Sequence, residues 1–464
     1  MVEHVTPPRW RHVVADALDG GERFAGAWAT STGGWRIALT RGSDARVLAC
    51  QPADRRLDTV VDMVGAAVWD EREAHDLYGL EFTGHEPMRA LIKHPAQPEA
   101  WLTPVTGPGV HQVAVGPIHA GVIESGHFRF HCVGDRILAL DTRLFYKHRG
   151  LERAAEGLGP DQALAYAARA CAACAVANSV AYAHAVEDAL GLEPSMQLRR
   201  QRTVLVELER AYNHLNDIGA VCAGVGYAAG SMAFSALKDR AQELCSQAFG
   251  HRFMFGTVAV GSGALTLDAG AADALRQRLR ELRADAGAAW RDLQFAASLQ
   301  ARLEGVGVLE HDRAIQFGVV GPAARASGVL GDVRTASPRL AYEGFTPAIA
   351  PRGSGDVASR LQMRAVELET TWEMLDELLA APLVAAYTSQ RERASSLGIG
   401  RVESSRGETV CMVELDAGLI TRLHLRTASY ANWPAVAAAS AGNLLPDFPL
   451  INKSFDLCYA CADR

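Results

Sequence analysis

In "QLRRQRTVLVELERAYNHLNDIGAVC", apolar side chains recur every three or four positions at Leu205, Leu208, Tyr212, Leu215, Ile218 and Cys222. That spacing predicts a long helix with one face on a core. Segments 271–304 and 357–381 repeat the style and predict two more helices. Nearer the start, "GWRIALTRG" and "ARVLACQP" predict strands, and "VVDMVGAAVWDEREAHDLYGL" an acidic amphipathic stretch. Alternation in "HFRFHCVGDRILAL" around Gly134-Asp135 predicts a β-hairpin, and "GETVCMVELDAGLITRLHLRT" a second one. "ASYANWPAVAAASAG" predicts a short helix, and the Gly- and Pro-rich stretch 320–356 a loop. The fold class expected is α+β. A small mixed α/β domain over residues 1–95 and a linker over 96–112 precede a large, mainly helical domain over 113–464 with peripheral hairpins.

Composition narrows the class. A formal charge of -7 provides no basic footprint, which argues against nucleic acid as a partner. The most apolar run, "LAYAARACAACAVANSVAYAHAVEDAL", is interrupted by Arg169, Asn178, His184 and Glu187, so it reads as a buried core helix. Membrane association is then expected only through partners, and no secretory signal opens the sequence. Nine cysteines in 464 residues fit a reducing compartment better than a disulfide scaffold. Cys50, Cys132, Cys222, Cys245 and Cys411 are isolated and read as small buried hydrophobes.

The other four form two C-x-x-C pairs, Cys171/Cys174 and Cys458/Cys461. On a helix or its first turn, residues three apart face one way. Paired thiolates suit a soft or borderline metal. Zinc ribbons space their pairs about 15–20 residues apart, so these distant pairs are no local zinc knuckle. A thioredoxin-like pair follows a strand in a βαβ unit, which neither does. Four buried thiols without metal remain the plain alternative. A shared metal would explain the second pair's place beside Arg464, because coordination would tie that tail into the core.

These motifs resemble the large subunits of nickel–iron hydrogenases. Arg149, Gly150 and Glu152 match an R-G-x-E element, followed after sixteen residues by Arg169 and the Cys171/Cys174 pair. Asp456, Cys458 and Cys461 match the second element. "GPIHAGVIESGHFRF", "RLFYKHRGLE", "ELERAYNHLNDIG", "TASYANWP" and "CYACADR" are similar to the energy-converting, formate hydrogenlyase type. "VWDEREAHDLYGLEFTGHEP" resembles the small complex I subunit often fused ahead of it.

The resemblance implies a nickel on all four thiolates, with Cys171 and Cys458 terminal. Cys174 and Cys461 would bridge to an iron carrying carbon monoxide and cyanide. Cys458 is the implied proton acceptor, Arg406 the arginine over the iron's diatomic ligands, and Glu124 the proton relay. Glu152 is the implied ligand of a nearby magnesium or iron. Read alone, Glu152 beside Arg149 and Arg153 is a surface ion pair, and Asp70, Glu71 and Glu73 form a solvated or docking face. His119 resembles a quinone-pocket histidine. The implied partners are a small iron–sulfur subunit resembling complex I, ferredoxin-like and membrane antiporter-like subunits, and metal-maturation factors. No iron–sulfur cluster is expected in this chain. The implied place is the inner face of the cell membrane, held on the cytoplasmic side by partners.

Three departures stand out. Ala172 replaces the family's Gly, Asn178 its His, and Leu457 its Pro. The sequence also stops at Arg464, where relatives are cut after metal insertion; the expectation is a processed form or maturation without cleavage. A non-hydrogenase, complex I-like quinone-coupling or scaffold module with a degenerate metal site is the alternative function, and zinc on the four thiols a third.

Overall fold

The computed structural model describes residues 2–97, 100–118, 124–336, 339–346, 353–390 and 395–464; His119 lies outside them. At the N-terminus, β1 (Val2–His4), α1 (Trp10–Asp19), β2 (Arg23–Ala29), β3 (Trp35–Arg41) and β4 (Asp44–Cys50) build a sheet of order β1-β4-β3-β2. Only β1 and β4 run parallel. Alternation gives this sheet two apolar faces. Trp35, Ile37 and Leu48 pack with Trp10 and Val14 of α1. The pair β5 (Arg56–Asp58) and β6 (Glu81–Thr83) flanks α2 (Val68–Tyr78), which ends on Gly79 in the left-handed region.

Next, β7 (Val110–Val115), β8 (His127–Val133) and β9 (Arg136–Arg143) form an antiparallel meander, so the expected hairpin gains a third strand. Helices follow: α3 (Leu151–Ala155), α4 (Pro160–Ala168), α5 (Ala175–Leu190), then β10 (Leu192–Pro194), α6 (Met196–Gly224) and α7 (Ala228–Phe249). After β11 (Ser262–Gly263) come α8 (Ala269–Phe295), α9 (Ala297–Leu303), α10 (His311–Gln316), α11 (Gly321–Ala326) and α12 (Val357–Leu378). The stretch expected as loop thus contains α11. β12 (Ala386–Gln390) pairs with β10 and β11. β13 (Leu397–Ser404), β14 (Gly407–Asp416) and β15 (Leu419–Arg426) form an antiparallel sheet, and α13 (Ala428–Ser440), α14 (Phe448–Phe455) and α15 (Tyr459–Asp463) complete the chain.

The large core is built on α5 and α6. Every residue of α6 from Gln201 to Leu215 is buried, so the helix is enclosed beyond its apolar stripe. α5 lies on β13, and the strand's glycines make that approach possible. An ideal Cβ on Gly400 would fall 1.9 Å from the Ala181 carbonyl oxygen, and one on Gly398 2.0 Å from that of Ala185. The other face of the N-terminal sheet closes on β14, where Trp28, Ala38 and Val47 pack with Val410 and Met412. Trp28 Nε1 also donates to Glu414 Oε1 at 3.1 Å.

Two expectations are corrected. The Ala-rich run is two helices, α4 and α5, with Cys171–Cys174 at the break between them. The acidic stretch is not a solvated face: Asp70, Glu71 and Glu73 are buried. Asp70 accepts from the Ala27 amide and Arg426, and Glu71 from Thr59, the Val60 amide and His85. Burying a carboxylate is tolerated when donors surround it; those of Asp70 lie far away in sequence, while those of Glu71 come from 11–14 residues off.

Candidate metal centre

Both cysteine pairs sit at helix starts. Cys174 is the N-cap of α5 with Cys171 in the turn before it, and Cys458 is the N-cap of α15 with Cys461 inside. All four Sγ atoms lie within 4.8 Å of one another, and those of Cys171 and Cys458 are 3.3 Å apart. Cys174 and Cys461 are buried, while Cys171 and Cys458 keep partial exposure. Hydrogen bonds from Cys174, Cys458 and Cys461 hold Cys171 well below the usual thiol range. Donation to Cys171 pushes Cys174 and Cys461 well above it. A metal that takes all four must displace the remaining protons.

Helix α6 supplies the wall behind the sulfurs. Glu209, Asn213 and Asp217 stand four residues apart, so they share one face. Glu209 accepts from the Val176 and Ala177 amides at 2.6 and 3.0 Å, which caps the start of α5. Asn213 donates to the Ala173 carbonyl at 2.7 Å. Asp217 accepts from Arg364 at 3.2 Å and Arg406 at 3.4 Å. Sequence reasoning used the apolar stripe of this helix and its likeness to a family motif, and assigned these three residues no role. The missed signal was a second, polar stripe on the same segment.

Arg406 sits at the tip between β13 and β14. Its guanidinium lies 3.8 Å from Cys174 Sγ, donates to Asn213 Oδ1 at 3.1 Å and to Asp456 Oδ2 at 2.7 Å, and its Nε donates to the Asp456 carbonyl. Asp456 has φ 49°, the left-handed conformation that turns the chain into the second cysteine pair. Arg406 thus braces that turn as well as facing the sulfurs. The tip is held from behind by Arg210, which donates to the carbonyls of Ser404 and Glu403 at 3.0 and 2.6 Å.

The tail is fastened at several points. The Cys458 amide donates to Ser429 Oγ at 3.0 Å, and Thr427 Oγ1 donates to the Cys461 carbonyl at 2.9 Å. Glu124 accepts from the Ala460 amide, which fixes its carboxylate on the short helix that carries the second pair. Asp463 accepts from the Phe145 and Lys147 amides at 2.7 and 3.0 Å. Asn178 Nδ2 approaches Cys461 Sγ at 4.0 Å. Its Oδ1 is buried and unpartnered within the described residues.

Glu152 does not pair with Arg149 or Arg153. Its Oε1 accepts from Arg464 at 2.8 Å and the Leu425 amide at 2.9 Å, and its Oε2 from Arg422 at 3.0 Å. His424 Nδ1 lies 3.3 Å from Oε2. Burial alone would raise this carboxyl's pKa, but Arg464, His424 and Arg422 hold it well below the usual range. Glu73, Glu152 and His424 form a second group within 4.8 Å.

With this geometry in place, comparison with known proteins is informative. The respiratory-chain NADH dehydrogenase 49 kDa subunit family matches residues 224–394 and 383–464, and the 30 kDa subunit family residues 35–106. Hydrogenase-4 component G of Escherichia coli (strain K12) is 31% identical over 440 residues, covering 88% of this chain and 76% of that protein. Formate hydrogenlyase subunit 5 of the same strain is 31% identical over 439 residues, with the same two coverages. A chain in the structure of the membrane-bound sulfane sulfur reductase, an archaeal respiratory membrane complex, superposes with a TM-score of 0.71 at 24% identity. The match covers 77% of this chain and 99% of that one, and it concerns the fold alone. The chain therefore belongs to the family that unites large subunits of energy-converting, formate hydrogenlyase-type hydrogenases with the complex I 49 kDa subunit, and it carries a 30 kDa-subunit-like region ahead.

Proposed function

We propose that this chain is the catalytic subunit of a membrane-associated nickel–iron hydrogenase that interconverts H2 with protons and electrons. The observation that carries the reading is the convergence of four sulfurs from two distant segments beneath one buried arginine. The donor set fits the group: soft thiolates suit a redox-active nickel, and Cys171, Cys174, Cys458 and Cys461 would hold it together with iron. Such a centre, when bound, would supply the soft, redox-active chemistry that divides dihydrogen into two protons and two electrons. Cys458, partly exposed at a helix start, takes the proton at its Sγ. Glu124, hydrogen-bonded two residues on at Ala460, carries it away from that end of the tail. Arg406 supplies fixed donors over Cys174, the place where the resemblance sets carbon monoxide and cyanide on the iron.

The remaining cysteines, Cys50, Cys132, Cys222, Cys245 and Cys411, are buried and separate from the four-sulfur group. Electrons therefore leave through an iron–sulfur cluster of a small complex I-like partner, with ferredoxin-like subunits beyond it. Among the described residues no helix is long and apolar enough to cross a membrane. Antiporter-like partner subunits then provide attachment to the inner face of the cell membrane, and maturation factors load the metals.

The second reading is a complex I-like scaffold or quinone-coupling module, favoured by the match to the 49 kDa family and by Ala172, Asn178 and Leu457 at altered positions. Purification after co-production with the maturation machinery separates the two. The hydrogenase reading expects nickel and iron together with infrared bands of metal-bound carbon monoxide and cyanide. Protein with no metal and no such bands rejects it in favour of the scaffold, and zinc without nickel or the bands rejects it in favour of a zinc site on the four thiols.

A further inference from the structure

The group beside Glu152 has the donors of a hard divalent cation. It offers two carboxylates, the Leu425 carbonyl and an imidazole, and oxygen-rich sets of this kind suit magnesium, manganese or ferrous iron. In this chain a guanidinium already touches each of them. Arg464 donates to Glu152 Oε1 at 2.8 Å, to the Leu425 carbonyl at 2.9 Å and to Glu73 Oε2, and its NH1 is 3.5 Å from His424 Nδ1. Tyr430 closes the other side, with its ring centroid 4.4 Å from the guanidinium carbon.

Charge points the same way. Glu73 and Glu152 contribute two negative charges, and Arg464 and Arg422 two positive ones, in a pocket where Arg464 is 3% exposed. A dication added to this set would be buried without compensation, which is strongly unfavourable. The residues therefore do not fit the magnesium or iron that the resemblance implies beside Glu152.

We propose that the Arg464 guanidinium is the resident cation of this site, replacing the second metal by a covalent part of the chain. Glu73 is a partner that lies outside the nickel–iron motifs themselves, in the small-subunit-like segment. It comes from α2, so the replacement also joins the 30 kDa-like region to the tail. The inference does not depend on hydrogen chemistry at the four sulfurs.

The probe is manganese(II), read by its electron paramagnetic resonance signal and by thermal unfolding of the full chain. The wild type should bind no Glu152-dependent manganese, and chelator should leave its unfolding unchanged. Arg464→His should bind one manganese per chain at least about tenfold more tightly than wild type. Adding Glu152→Gln to that variant should abolish the gain. A wild type that binds one manganese, lost on Glu152→Gln, overturns the proposal, as does a folded Arg464→His protein with no gained affinity. Should Arg464→His fail to fold, the wild-type arm decides. None of these readouts requires nickel.

Discussion

Replacing Gly400 with alanine drives one methyl group into the backbone of the helix that begins at Cys174. The ideal Cβ would meet the Ala181 oxygen at 1.9 Å and the Ala185 nitrogen at 2.6 Å, whereas real Cβ contacts essentially never fall below 3.0 Å. Both obstructing atoms are backbone, so no rotamer change relieves them, and α5 must retreat from β13 locally by about 1 Å. Overpacking of this kind costs about 1–3 kcal/mol, and an unyielding neighbour puts Gly400→Ala near the upper end. Gly287→Ala is the control. It lies inside α8 with its nearest atom, Arg291 NH1, at 3.7 Å, so the same chemical change should stabilise by about 1 kcal/mol through helix propensity. Urea unfolding followed by circular dichroism should move the two midpoints in opposite directions. Cadmium titration, read by thiolate-to-metal absorbance, should show Gly400→Ala binding about 10–100-fold more weakly, because α5 positions Cys174. A Gly400→Ala midpoint at or above that of wild type would refute the claim that the glycines of β13 set the helix position.

Four further outcomes follow from the same geometry. Arg406→Leu leaves buried Asp217 and half-buried Asp456 without their shared fork and should cost about 3 kcal/mol in thermal unfolding, with Arg406→Lys recovering only part. Burial pushes the Glu209 pKa up to about 8 against the opposing pull of the Val176 and Ala177 amides. The unfolded chain releases this proton near pH 4.3, so stability falls as pH rises from about 4.3 to about 8. Glu209→Gln should flatten that decline in urea midpoints measured at pH 5 and pH 8. Cys461→Ser removes one of four thiolates, and a cadmium absorbance per chain unchanged from wild type would contradict four-sulfur binding. Glu73→Gln weakens the tie to Arg464 and should cost about 1–3 kcal/mol, seen as faster amide exchange in α2 and α15.

Much of this architecture was legible in the sequence because its signals are local. The strands around Trp35 and Val47, both hairpins, and the long helices carry their periodicity within a few residues. The meeting of Cys171 and Cys458 was legible only as two short motifs whose shared purpose required a common ligand. What escaped was charge whose partner lies elsewhere in the chain. Asp70, Glu71 and Glu73 read as a wet surface, since nothing nearby announces Arg426 or Arg464. Glu209, Asn213 and Asp217 were hidden for another reason: a helix enclosed on all sides has polar residues on an inner face, where the usual amphipathic rule expects solvent.

The tie between Glu73 and Arg464 spans 391 positions. At about 5–20 residues per second, a ribosome makes the arginine roughly 20–80 s after the glutamate. Throughout that interval Glu73 lacks the guanidinium that faces it in the finished fold. That contact therefore forms only after most of the chain has been made.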